Sequence, residues 1–426
     1  MSDLIDELDL PEPGERRLAI RVTPDAIRRL RGGHPWLYDG SIDSVSFEGK
    51  PGDLGVVFDR DRKFVAIGLW DPSSPIRLKV LHQGSPATID AGWFADRIAR
   101  AHARRAPLWA RADQRRLGYR VVNGENDGLP GLVIDRYAGA AVIKLYSAAW
   151  YPHLRWVVAA VRNEIQPDAI VLRLARSVAA DPLTGQIGCG DGDVIAGELP
   201  AGPGGDSVLF EENGLTFEAD VRQGQKTGHF LDQRANRRLV RDLANGLRVL
   251  DVFASTGGFT VHAAAGGATS VHAIDLSAPT LAAAERNVAH NATQPAVARC
   301  EITTEVADAF EAMSELNRAK RRYDMVIVDP PSFAQNAAAI PTALGAYTRL
   351  THLALDLVEY GGILVQASCS SRVTAADFFE RIALVADGRD IGLTELRRTG
   401  HDIDHPVDFP EGAYLKAGIW RVEKRR

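Results

Sequence analysis

The stretch from Val249 to Ser277 constrains this chain more than any other. Val249-Leu250-Asp251-Val252-Phe253 reads as a buried strand, and Ala254-Ser255-Thr256-Gly257-Gly258 as a loop of small residues. A helix is predicted from Phe259 through Ala265, and a second strand from Val271 to Ile274, ending on Asp275. Strand, glycine loop, helix, strand and acid form the opening βαβ unit of a nucleoside-binding α/β sheet. Glycine lets backbone approach a ligand with no Cβ in the way. A carboxylate at the end of the second strand can accept two hydrogen bonds from a ribose diol. The loop does not read G-x-G-x-x-G, which argues against a dinucleotide site.

Two later segments end in chemistry. A third strand runs into Val328-Asp329-Pro330-Pro331-Ser332-Phe333, and a fourth into Gln366-Ala367-Ser368-Cys369-Ser370-Ser371. Strand ends of an open parallel sheet gather on one rim, where ligands bind. The glycine loop, Asp275, Asp329 and Cys369 are therefore expected to share one cleft. Two successive prolines hold the backbone extended and would aim Asp329 into it.

At 426 residues the chain has room for two or three domains. A hydrophobic share of 45%, a charged share of 25% and a net charge of −5 describe a globular protein without a global nucleic-acid signature. The charge is uneven, however. Arg97, Arg100, Arg104, Arg105, Arg111, Arg115, Arg116 and Arg120 stand against one acid, Asp113, which predicts phosphate contact. Three scattered cysteines give neither a disulfide framework nor a metal cluster, and no metal is expected. The N-terminus is acidic without a signal-peptide core, and no apolar run approaches the ~20 residues of a membrane span. A cytoplasmic protein with no membrane partner is the expectation.

In chain order, short strands up to His82 read as a small β-barrel-like module. Trp36 and Trp70 in it are either stacking residues or core. A helix is predicted over Ala91–Ala106, strands over Leu132–Tyr137 and Ala141–Tyr146, a helix over Tyr151–Glu164 and a strand over Ala169–Leu174. The Gly-, Pro- and Asp-rich span Ala180–Ser207 reads as loop or linker. Asn213-Gly214 marks a hairpin between Val208 and Asp220.

Seven pieces, in order, carry a resemblance that covers nearly the whole chain: His34-Pro35-Trp36, NGENDGLPG, QKTGHFLDQR, FASTGGF, VDPPSF, SCSS and PEGAYLK. The sequence resembles the large-subunit ribosomal RNA methyltransferase I family, S-adenosylmethionine-dependent enzymes that make 5-methylcytosine. The resemblance implies an α/β fold in three parts: an N-terminal β-barrel PUA module (16–90), a central α+β domain (91–207), and a class I methyltransferase domain (208–426). The last would be Rossmann-like, with a mostly parallel seven-stranded sheet. S-adenosylmethionine would meet Asp251, Phe253, Thr256, Gly257 and Gly258, with Asp275 on its ribose and Asp308 near the adenine edge. Lys226, Thr227, Phe230, Asp232 and Arg234 would form a lid-like segment over the cofactor. Asp329 would lie beside both methyl donor and base, and Cys369 would be the nucleophile. Arg97, Arg100, Arg104, Arg105 and Phe333 are expected on RNA. The partner implied is large-subunit (23S) ribosomal RNA, with a homodimer compatible.

Carbon 5 of cytosine is a poor nucleophile. A thiolate added to C6 turns the ring into an enamine, and C5 can then attack a methyl sulfonium. Cysteine suits this step because its thiolate both attacks and leaves well. Asp329 could bond N3 and the exocyclic amine. Many related RNA cytosine-C5 enzymes carry a cysteine after the paired prolines, where this chain has Ser332. Two alternatives stay open: methylation at another base atom without a covalent intermediate, and a vestigial RNA-binding assembly factor.

Overall fold

The computed structural model describes residues 3–425 apart from 111, 201, 203–206 and 335. Arg111 of the arginine run and residues 201 and 203–206 of the expected linker thus lie outside the described residues. The chain makes two compact units. One takes Met1–Glu211, Ala219–Leu231 and Ile403–Pro410; the other takes Glu212–Glu218, Asp232–Asp402 and Glu411–Arg426. No described helix is long and apolar enough to cross a membrane.

The first unit holds two sheets. Strands β1 (Leu18–Val22), β2 (Trp36–Tyr38), β3 (Ile42–Val45), β4 (Leu54–Phe58), β5 (Phe64–Trp70) and β6 (Ile76–Gln83) pair in the order β2-β6-β5-β4-β1-β3. Only β1 and β4 run parallel among these pairs. The helix Pro24–Arg31 starts on Thr23, whose hydroxyl accepts from the Ala26 N–H at 3.4 Å, and it buries Ala26, Ile27 and Leu30. Trp70 joins this core. Trp36 is half-buried, and its indole N–H donates to Glu125 at 3.0 Å.

The second sheet is β7 (Gly118–Asn123), β8 (Leu132–Tyr137), β9 (Ala140–Leu145), β10 (Ala169–Leu174) and β11 (Asp193–Gly197), in the order β11-β10-β9-β8-β7. Helices Ala91–Ala103 and Leu154–Ile165 bury Phe94, Ile98, Val157 and Val161 with it. That core also includes Leu54, Ile67 and Leu81 of the first sheet, so the expected boundary at residue 90 is a place in the chain without a break in packing. The span Ala180–Ser207 is not a plain linker. It carries the helix Pro182–Ile187, capped by Asp181, and the edge strand β11. A strand of five residues flanked by glycines has too little apolar pattern to stand out in sequence.

A two-stranded hairpin, β12 (Ser207–Glu212) and β13 (Leu215–Asp220), turns at Asn213-Gly214 with both residues at positive φ. The second unit then builds β14 (Arg248–Val252), β15 (Ser270–Asp275), β16 (Glu301–Val306), β17 (Tyr323–Val328), β18 (Val358–Ser368), β19 (Ile391–Thr399) and β20 (Lys416–Lys424). They form one seven-stranded sheet in the order β16-β15-β14-β17-β18-β20-β19. The first five are mutually parallel, and β20 is antiparallel to both its neighbours. Strands β14, β17 and β18 end in unbroken buried runs, mostly apolar, as strands covered on both faces require. Strand order reverses between β14 and β17, which opens a crevice at their carboxyl ends.

Candidate active site

Register puts the strand ends together. Val252 pairs with Ile274 on one side and Val328 on the other, and Val328 pairs with Gln366. Phe253, Asp275, Asp329 and the Ser368–Ser370 segment therefore leave the sheet on one rim.

The loop after β14 is tightly wound. Phe253, Ser255 and Gly257 have φ of 66°, 50° and 75°. For the first two this left-handed conformation costs roughly 1–3 kcal/mol each, a strain that persists only where surroundings enforce it. Neighbours do so here. The Ala254 N–H donates to the Ile274 carbonyl at 3.0 Å, and the Asn287 amide donates to the Thr256 carbonyl at 2.9 Å. A Cβ on Gly257 would lie 2.7 Å from Ala284 Cβ, and one on Gly258 2.8 Å from Arg237 Cδ. Gly257, at positive φ and this close to the helix Ala278–His290, requires glycine, whereas a side chain at Gly258 would have to displace the Arg237 side chain.

Asp275 is held by the main chain. Its Oδ2 accepts from the Ser255 N–H and its Oδ1 from the Ser277 N–H, both at 2.9 Å. The next side chain, Leu276, is 72% exposed, the most open large apolar residue among the described residues. A fixed carboxylate next to an uncovered apolar surface suits a nucleoside, with the diol on one and the base on the other. Sequence reading missed Leu276, since an isolated leucine carries no pattern.

Asp251 behaves differently from its expected role. It is fully buried, and its Oδ2 accepts from the Thr260 hydroxyl at 2.6 Å. Burial pushes its pKa up to about 6, against the pull of Thr260. Its Oδ1 has no hydrogen-bond partner among the described residues. An enclosed carboxyl cannot reach a ligand directly; it ties β14 to the following helix. Asp308 is exposed and caps the helix Ala309–Arg318, accepting from the Phe310 and Glu311 N–H groups at 2.9 and 3.1 Å.

At the far side of the crevice, Asp329 follows β17 and its Oδ1 accepts from the Gln233 amide at 2.8 Å. Cys369 follows β18 and is half-buried, with Sγ 3.8 Å from the Pro330 carbonyl oxygen. Nucleophile candidate and carboxylate thus lie on adjacent strand ends, joined through Pro330. Beneath them Tyr347 and Ser368 share a hydrogen bond of 2.8 Å. Lys416, only 4% exposed, donates to the Ser370 and Val373 carbonyls and pins the turn that follows Cys369. Burial lowers the Lys416 pKa to about 8, while the charge of Cys369 works to keep it protonated. By reciprocity that ammonium favours an anionic sulfur. Phe333 is half-buried, 5.3 Å from the Tyr347 ring and 6.5 Å from Phe310, whose other neighbour is the guanidinium of Arg349.

The lid-like segment divides between the units. Asp232 is buried and accepts from the Tyr414 hydroxyl at 2.9 Å; Arg234 is buried on Asp402, also at 2.9 Å. Lys226, Thr227 and Phe230 belong to the first unit. There Thr227 is buried and donates to Asp135 at 2.6 Å, and the Lys226 ammonium lies 4.5 Å from the Phe230 ring centroid.

The arginine run needs correction. Arg105 is fully buried: its guanidinium makes two bonds to Asp127, at 2.7 and 2.8 Å, and others to the Ala101, Arg120 and Asp404 carbonyls. It cannot touch RNA. Arg104 pairs with Asp408 at 2.8 Å, Arg120 with Asp135 at 2.8 Å, and Arg116 with Glu211. Arg97 is half-buried over the Trp93 ring, and Arg100 is exposed beside Asp96. The acids that balance these arginines are distant in sequence, so a local count overstates the field. No His, Cys, Asp or Glu cluster fit for a metal occurs among the described residues.

Two family models match the chain: an S-adenosylmethionine-dependent methyltransferase over residues 196–411, and a PUA-like domain over residues 20–83. An S-adenosylmethionine-dependent methyltransferase from Streptococcus mutans superposes with a TM-score of 0.78 at 20% identity, covering 95% of this chain and 99% of that one. A second solved methyltransferase, complexed with SAH, has a TM-score of 0.78 at 21% identity and the same coverage. The fold and its crevice are those of an S-adenosylmethionine-dependent methyltransferase. The ribosomal RNA large subunit methyltransferase of Deinococcus radiodurans is 47% identical over 420 residues, 98% of this chain and all of that protein. Ribosomal RNA large subunit methyltransferase I of Shewanella amazonensis is 34% identical over 417 residues, 95% of this chain and 99% of its own length. The chain belongs to this family of large-subunit ribosomal RNA methyltransferases.

Proposed function

We propose that the protein methylates C5 of a cytosine in large-subunit ribosomal RNA, through a covalent bond between Cys369 and C6. One observation carries the reading: Cys369 Sγ lies 3.8 Å from the Pro330 carbonyl, on the strand end adjoining Asp329. The relatives' names supply ribosomal RNA as the substrate class.

S-adenosylmethionine supplies an electrophilic methyl group. Asp275 would bond its ribose diol, Leu276 would cover one face of the adenine, and the Phe253–Gly258 loop would carry the rest. Asp308, with Phe310 beside it, would border the adenine edge, and Asp232 and Arg234 would brace the approach. The Cys369 thiolate adds to C6, and the ring electrons move to C5. Asp329 bonds N3 and the exocyclic amine and gives a proton to N3 as negative charge builds there, and takes it back when the sulfur leaves. After methyl transfer a base removes the C5 proton, the C5–C6 double bond reforms, and the sulfur leaves as thiolate. Lys416 favours the thiolate at both ends of the cycle. The base must stand clear of any stack, and Phe333 is the side chain beside the crevice suited to pack against it.

RNA carrying 5-fluorocytosine at the target tests this reading. Fluorine at C5 cannot leave as a proton does, so a protein–RNA adduct should accumulate that needs S-adenosylmethionine and survives denaturing electrophoresis. Cys369→Ala should remove the adduct and lower turnover at least about a thousandfold, while cofactor binding persists. Normal turnover by this variant would instead favour methylation at another base atom.

A further inference from the structure

Two buried amides and a half-buried hydroxyl outside the expected site form a row that ends on Asp329. The Thr399 hydroxyl, at the close of β19, donates to Asn236 Oδ1 at 2.5 Å. Asn236 Nδ2, on the helix Arg234–Leu243, donates to Gln233 Oε1 at 2.6 Å. Gln233 Nε2 donates to Asp329 Oδ1 at 2.8 Å. Gln233 and Asn236 are 3% and 2% exposed, so neither amide can exchange these partners for bulk water.

We infer that Gln233 and Asn236 are positioning residues that fix the plane of the Asp329 carboxyl and hold its Oδ1 as the acceptor. The inference rests on Asp329 meeting the base, as proposed above. The direction of the chain follows from chemistry. Asp329 Oδ1 accepts, so Gln233 must turn its NH2 toward it. Its carbonyl then faces Asn236 and demands an NH2 there. The Asn236 carbonyl in turn demands a donor, and the Thr399 hydroxyl is one. Each amide is locked against a flip by the next, and all three donors point toward the acid. A row of aligned hydrogen bonds strengthens its members. A carboxyl so held on Oδ1 leaves Oδ2 as the oxygen to carry the proton that passes to N3.

This assignment separates from simple packing by its readouts. Gln233→Ala should lower kcat about tenfold or more, with the KM for S-adenosylmethionine within about twofold of wild type. Asn236→Asp, which does not touch Asp329, should cause a comparable loss, because an introduced carboxylate cannot donate to Gln233 and turns its amide around. Gln233→Glu should show a distinctive pH profile. While the introduced carboxyl is protonated it can donate to Asp329, and activity is kept. As pH rises, two carboxylates face each other within hydrogen-bond distance, and activity falls relative to wild type. Cys369 and Tyr347, which lie near Asp329, and every other group are the same in both proteins, so the ratio of the two profiles reports the substitution. Wild-type kcat and pH profile in all three variants would overturn the inference. So would loss of kcat and cofactor affinity together at every pH, which would mark a structural brace. Failure of the parent reading is distinct: the wild-type protein itself would yield no 5-methylcytosine and no fluorocytosine adduct.

Discussion

The arginine segment of the first unit and the strand-end rim of the second draw on opposite kinds of information. The segment is contiguous, eight arginines within Arg97–Arg120, and looks like a basic surface. In the fold most of its described charge is spent on partners 15 to 304 residues away, among them Asp127, Asp135 and Asp408. The rim is dispersed, from Phe253 to Cys369, yet its pieces converge because parallel strands must end together. Proximity in sequence thus misleads about a field, which sums over all neighbours in space. Separation in sequence is harmless where topology does the gathering.

The sharpest test of the contrast is Arg105. Arg105→Ala leaves Asp127 charged, buried and deprived of two bonds, and should destabilise the first unit by about 3–5 kcal/mol in denaturant titrations. Arg100→Ala, on an exposed i,i+4 pair, should change stability by less than about 0.5 kcal/mol. Equal effects would mean that burial does not divide the run as described.

Next is the enclosed acid of the rim. Burial pushes the Asp251 pKa up from 3.8 to about 6, so the folded state binds its proton more tightly than the unfolded chain. Its favourable contribution is complete below pH 3.8 and is lost as pH rises through about 6. At about 1.36 kcal/mol per pKa unit the loss is about 3 kcal/mol. Asp251→Asn does not titrate, so its stability relative to wild type should rise across that window and then level off. A flat difference between pH 4 and pH 8 would show that the carboxyl is not desolvated as its burial implies.

The smallest of these effects belongs to the open side of the rim. Asp275→Ala should weaken S-adenosylmethionine binding by about 1.5–3 kcal/mol, the range for a charged hydrogen-bond partner, measured by calorimetry. Unchanged affinity would take Asp275 off the ribose and break the analogy between strand ends and ligand site.

Four strands of the seven-stranded sheet, β14, β15, β17 and β18, and most of the rim were legible, because buried apolar strands, a glycine loop and acids at strand ends leave local marks; β16, β19 and β20 came only with the family resemblance. Gln233 and Asn236 left none. Their meaning lies in contacts with Asp329 and Thr399, 96 and 163 residues away. Leu276 was invisible for the reverse reason, since an exposed leucine matters only beside a fixed Asp275. Strand β11 hid among glycines and aspartates. Asp251, Asp232 and Arg234 carry the right chemistry for a cofactor site, but burial turns them toward Thr260, Tyr414 and Asp402.

The return of Ile403–Pro410 to the first unit has a consequence for how the protein is made. Arg105 donates to the Asp404 carbonyl, the Arg120 N–H donates to the Asp404 carboxylate, and the Asp408 N–H donates to Asn126. Asp404 follows Arg105 by 299 residues. At roughly 5–20 residues per second of synthesis that gap lasts about 15–60 s. Until it closes, the first unit waits with part of its polar interior unfilled. It can therefore reach its final form only after the segment Ile403–Pro410 has been made.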